Sequence, residues 1–199
     1  SAVEHYRGSF KNPGMYTPMI ASTLALVAAG FGVAGRSGRR ARRARAGAYA
    51  TAGAVGAAGA GFHLYNLLRR PGGLSWLNLF YAAPVGAPAA LSLAGALGLA
   101  ADRLEASPQG KPPTLLGLPA GRALAGLTGL GIAGTVAEAG LLHFRGAFQN
   151  PCWGAPGIGP PIASALMLEA AVSRRANDRA SLTCAWLGLT AVLGVVGVG

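Results

Sequence analysis

The stretch TPMIASTLALVAAGFGVAG, Thr17–Gly35, holds no charged side chain, and Arg36 follows it at once. As a helix rising about 1.5 Å per residue it is about 28 Å long, close to the roughly 30 Å of a bilayer's hydrocarbon core. Four more stretches are equally free of charge: Gly47–His63, Leu79–Ala101, Ala123–Ala137 and Ala180–Gly199. They are continuous and rich in Ala, Leu and Gly, without the alternating polarity of a membrane strand, so they read as helices.

The whole composition agrees. Of 199 residues 52% are apolar and 12% charged, against about 25% charged in a soluble domain. Mean hydropathy is +0.42. So few charges cannot cover the surface of a soluble domain of this size. The expected fold is an all-α integral membrane protein with spans at about 17–35, 47–68, 82–101, 122–143, 158–173 and 180–198. The opening Ser-Ala-Val-Glu-His is charged and lacks an apolar core, so no cleavable signal peptide is expected. The first span would serve as the targeting signal.

Arginine and lysine set the expected orientation. Twelve of the seventeen basic residues fall in one set of loops, around Arg36–Arg45, Arg103–Arg122 and Arg174–Arg179. The other five are Arg7, Lys11, Arg69, Arg70 and Arg145. Excess Lys and Arg mark cytoplasmic loops, which puts both termini outside, here in a bacterial inner membrane. The net charge of +11 does not point to nucleic acid. Its densest part lies between two apolar stretches, where topology and anionic lipid account for it. Eleven of the fourteen aromatics sit at the outer ends, leaving Phe31, Tyr49 and Trp186 on the inner side. Structured, packed outer loops are therefore expected.

An internal repeat organises the chain. His5-Tyr6-Arg7-Gly8-Ser9-Phe10-Lys11-Asn12-Pro13 matches His143-Phe144-Arg145-Gly146-Ala147-Phe148-Gln149-Asn150-Pro151 at six of nine positions. Ile20-Ala21-Ser22 then matches Ile162-Ala163-Ser164, and a weaker copy begins at His63-Leu64-Tyr65-Asn66. The expected architecture is one membrane domain over 1–199, built as three tandem two-helix repeats at about 1–62, 63–142 and 143–199. The middle unit is lengthened by a Pro-rich segment near Ser107–Pro119.

Two readings of the repeated motif stay open. As an outer cap, Gly8 and Gly146 permit tight backbone, Asn12-Pro13 and Asn150-Pro151 start turns, and Arg7 and Arg145 bond loop carbonyls or lipid phosphates. As a cofactor site, His5, His63 and His143 stand at equivalent depth. Imidazole can ligate haem iron, hold a metal or bond a quinone carbonyl, so haem b and quinone are the candidate cofactors. Glu138 is an ionisable residue inside a span, and such groups are usually functional or paired; Arg145 is a possible partner. Glu169, near the inner end of its span, is expected to reach Arg174 or Arg175. No lysine lies in a span, against a retinal Schiff base. A Cys152–Cys184 disulfide would have to cross most of the bilayer and is rejected. No Walker loop, dinucleotide fingerprint, Cys-x-x-Cys or zinc helix motif is present.

The stretch His63…Arg69-Arg70-Pro71…Ser75-Trp76 resembles, over fourteen residues, the outer-loop segment of quinol-interacting membrane anchors of molybdenum oxidoreductases. Nothing further rests on that resemblance. The leading expectation is a non-catalytic accessory or anchor subunit of a bacterial membrane complex, respiratory or redox-linked, with other membrane or periplasmic subunits as partners. A small-solute transporter or channel and a haem- or quinone-bearing redox subunit are the alternatives.

Overall fold

The computed structural model describes residues 12–36, 38–81, 86–108, 113–145, 156–173 and 179–196. Seven α-helices dominate these residues, and the chain divides into two compact units, Ser1–Lys111 and Pro112–Gly199.

The first unit opens on a 3-10 turn, Pro13–Tyr16, capped by Asn12, whose side chain accepts the Gly14 N–H at 2.8 Å. It runs into α1, Thr17–Val33. Pro18 is tolerated there because the first turn has no intrahelical partner for its missing N–H. α1 buries a narrow stripe of Ala21, Ala25 and Ala28. Its large apolar residues, among them Ile20, Leu24 and Leu26, stay exposed. α2, Arg39–Leu68, has 30 residues and is about 45 Å long. A loop containing Gly72 (φ +86) and Gly73 (φ +48) leads to the short α3, Trp76–Tyr81, and then to α4, Gly86–Glu105.

α2 and α4 pack antiparallel. Contacts step down α2 from Gly56 to Gly53, Tyr49 and Arg45 as they step up α4 from Ser92 to Gly95, Gly98 and Asp102. The approach is too close for side chains: a Cβ on Gly95 would stand 2.5 Å from the Tyr49 carbonyl oxygen and 2.6 Å from Gly53 N. Small residues let helix backbones meet in this way. Ser92 Oγ uses the proximity to donate to the Gly53 carbonyl at 3.2 Å. Ala25, Ala28, Tyr49 and Ala52 close the core between α1 and α2.

The second unit begins with a two-stranded antiparallel hairpin, β1 Thr114–Leu115 and β2 Leu118–Pro119. Leu116 (φ +55) and Gly117 (φ +75) form its turn, the positive-φ pair that a two-residue hairpin loop favours. It falls in the Pro-rich segment near Ser107–Pro119, a small departure from the all-α expectation. α5, Ala120–Arg145, follows, then α6, Gly159–Val172, with Pro160 in its first turn, and α7, Ala180–Val196. α5 and α6 also run antiparallel, Gly126 meeting Ala171 and Gly129 meeting Leu168. Ser164 Oγ donates to the Gly129 carbonyl at 2.8 Å, fully buried. Gly159 meets Trp186, Leu189 and Leu193 of α7.

Among the described residues two stretches are long and apolar enough to cross a membrane, Pro13–Val33 and Ala120–Leu141; Gly159–Val172 and Ala180–Gly194 are shorter apolar helices. α2 has the length, but alanine and glycine make up half of it and five arginines stand in its first two turns.

Candidate functional site

Arg45 is the only charged residue among the described ones that is fully buried, at 2% exposure. It lies in the second turn of α2 and donates all round. Nε bonds Asp102 Oδ1 at 2.8 Å, Nη2 bonds Glu105 Oε2 at 2.6 Å, and Nη1 bonds the Arg36 carbonyl at 2.6 Å. Asp102 and Glu105 are three residues apart on α4, so one face of the helix presents both carboxylates. One guanidinium therefore ties together the chain leaving α1, the start of α2 and the end of α4. Burial works against its charge, and the Asp102 hydrogen bond with the charges of Asp102 and Glu105 outweighs it, so Arg45 is held above its ordinary pKa. Asp102 Oδ2 is buried and receives no donor among the described residues.

The second unit uses an arginine in the same manner. Arg122, in the first turn of α5, donates to the carbonyls of Ala171 (2.7 Å) and Val172 (3.3 Å). The last carbonyls of a helix lack intrahelical partners and carry its negative pole, so a guanidinium there satisfies both. Arg179 meets Glu169 at 3.1 Å, both well exposed. The partners expected for Glu169, Arg174 and Arg175, lie outside the described residues.

Of the residues singled out in the sequence, His5, Arg7, Gly8, Gly146, Asn150 and Pro151 lie outside the described residues. Asn12 and Pro13 form the turn that opens α1. His63 is half-buried in the last two turns of α2, and Glu138 is half-buried on α5; His143 and Arg145 belong to the last turn of α5. His63 falls in the first unit and His143 in the second. No group of three or more His, Cys, Asp or Glu gathers among the described residues. Cys184 is exposed and unpaired.

Sequence reasoning missed two features. The first is the Arg45 clasp. The second is Asn78, 7% exposed, whose Nδ2 donates to the carbonyls of Pro71 (3.0 Å) and Gly73 (2.8 Å). Asn78 pins the loop between α2 and α3, and Ser75 Oγ accepts its backbone N–H at 3.3 Å. Arg69 lies over the Tyr65 ring at 5.6 Å, and Trp76 leans on Phe80 with centroids 6.1 Å apart. This geometry fastens helices and loops.

No family model, no curated protein and no solved structure matches this chain.

Proposed function

We propose that the chain is a non-catalytic, multi-pass membrane subunit, an accessory or anchor in a bacterial membrane complex with a respiratory or redox-linked role. The observation that carries the membrane part is where the side chains lie. Nine of the twelve buried apolar residues among those described are alanines, while Ile20 (60%), Leu26 (73%), Val33 (92%), Leu130 (64%) and Val172 (73%) are exposed. A soluble protein buries its large apolar residues first. Lipid removes that drive, and helices then meet through small residues and leave large ones outside. The hydroxyls follow the same rule: Thr135, Thr183 and Thr190 each bond the carbonyl four residues back, as a group without water must.

The reading as a subunit rests on how the buried polar groups are used. Among the described residues Arg45, Asn78, Ser164 and Thr183 are the buried polar or charged ones, and each is committed to a backbone or ion-pair bond. A site that turns over substrate keeps some such groups for its ligand.

The proposal retains six spans, tandem two-helix repeats, both termini outside and the bacterial inner membrane. α6 has 14 residues and covers about 21 Å, so flanking residues must complete that crossing. A periplasm-active reporter fused after Gly199 should work, and one placed in Arg39–Arg45 should be silent. Native electrophoresis of mild-detergent extracts should show the chain in a heteromeric assembly. Release of the chain by carbonate washing would end the membrane reading. A purified chain carrying b-type haem absorption would replace the anchor by the redox subunit.

A further inference from the structure

We propose that the exposed arginines at the start of α2 form a binding face for anionic phospholipid headgroups, separate from the Arg45 clasp. This rests on the membrane reading and goes further by naming the ligand and the residues.

Helical phase separates the two sets. At about 100° per residue, Arg39, Arg40, Arg42 and Arg43 share an arc of about 160°. Arg45 lies nearly opposite its centre, in phase with Ala48, Tyr49, Ala52 and Gly56. The burial pattern follows that division: Arg45, Tyr49, Ala52 and Gly56 are buried, and the four other arginines are exposed.

Charge is divided in the same way. The neighbouring carboxylates, Asp102 and Glu105, are both taken by Arg45. Among the described residues no carboxylate pairs with Arg39, Arg40, Arg42 or Arg43. Among the described residues, four guanidiniums therefore stand uncompensated within five residues. An anion held at this face would relieve their mutual repulsion beyond what solvent screening does.

Depth identifies the anion. α2 continues for eight residues before the apolar stretch that starts at Gly47, about 12 Å of helix. The headgroup layer is about 5–8 Å thick on each side. Arg42 and Arg43 leave the helix within that layer, and Arg39 and Arg40 can bend back to it along their own length. A guanidinium offers paired N–H donors matched to phosphate oxygens. Phosphodiester headgroups with net negative charge fit this face; zwitterionic ones bring a competing cation.

The test uses the full chain, purified and delipidated in detergent. It is titrated with short-chain phosphatidylglycerol, phosphatidylcholine or inorganic phosphate, and retained lipid is counted by native mass spectrometry. Each basic residue beside an anionic surface is worth about fivefold in partition. Wild type should therefore prefer phosphatidylglycerol to phosphatidylcholine by at least about tenfold. Replacing all four arginines by Gln should abolish the preference, and replacing all four by Lys should keep most of it. The double variants Arg39→Gln/Arg43→Gln and Arg40→Gln/Arg42→Gln, which keep half the charge for insertion, should each lose at least about fivefold. Equal retention of the two lipids by wild type would overturn the proposal. So would a preference that survives in both double variants, full competition by inorganic phosphate, or tighter binding of a short oligonucleotide than of phosphatidylglycerol. A chain that stays monodisperse without detergent defeats the membrane reading itself, which separates that failure from this one.

Discussion

Gly95→Ala adds one methyl group at the place where α2 and α4 come closest. Its Cβ would stand 2.5 Å from the Tyr49 carbonyl oxygen, 2.6 Å from Gly53 N and 2.9 Å from Gly53 Cα. All three are backbone atoms, so no side-chain rotation relieves the clash. Carbon contacts are comfortable at about 3.5–4.0 Å, so the two helices must part by roughly 1 Å. That shift takes the Ser92–Gly53 bond, already 3.2 Å, beyond useful length. Overpacking of this kind costs about 1–3 kcal/mol, and alanine returns about 1 kcal/mol through helix propensity. The control is Gly61→Ala on exposed α2, where an added Cβ meets nothing within 4 Å. Propensity cancels between the variants and leaves the overpacking cost. That is roughly a 5- to 150-fold difference in the folded-to-unfolded ratio. Unfolding in mixed micelles of rising dodecyl sulfate content, followed by circular dichroism and tryptophan fluorescence, measures it. If the two midpoints agree within about 0.3 kcal/mol, the close crossing is wrong.

Arg45→Met should loosen the last turn of α4, with amide exchange there faster by at least about tenfold, because Asp102 is left buried without its partner. Adding Asp102→Leu should restore most of the protection, and failure of that rescue would mean Arg45 acts through something other than the pair. Asn78→Ala strands the carbonyls of Pro71 and Gly73, a loss of about 1–2 kcal/mol. Exchange of loop amides 69–75 should rise about 5- to 30-fold, while α1 is unchanged. His63→Ala and His143→Ala, made singly, should leave the visible spectrum unaltered and weaken assembly; loss of a chromophore with assembly intact would favour the cofactor role.

Helix positions were legible because absence of charge over a long run is a strong signal. The spans read at 122–143, 158–173 and 180–198 fall within two residues of α5, α6 and α7. α2 was read as starting at 47 and starts at Arg39. Hydropathy marks where a helix meets lipid, whereas Arg and Ala extend a helix by propensity alone. That shortfall also hid the clasp, since the phase linking Arg45 to Ala52 and Gly56 is visible only once the helix reaches back past it. Asp102 and Glu105 offered the missing signal, as two of only six acidic residues, three apart beside a basic run. The β1–β2 hairpin was illegible because Leu116 holds a positive φ that normally announces itself through Asn or Asp.

The two units, which divide inside the expected middle repeat, are fastened by the same chemistry, in helix pairs that straddle the expected repeat boundaries near 62 and 142. In each, an arginine near the start of one helix reaches the end of the helix packed antiparallel to it: Arg45 to Asp102 and Glu105, Arg122 to Ala171 and Val172. In each, a serine on the second helix donates to a glycine carbonyl of the first: Ser92 to Gly53, Ser164 to Gly129. The helix pairs so joined, α2 with α4 and α5 with α6, are those whose connecting loops follow His63 and His143. If the motif recurs to build an outer hairpin, its histidine has a structural task wherever it occurs, at the point where the first helix gives way to the loop. A cofactor role requires those points to converge across units, whereas a hairpin role requires only that each hairpin close.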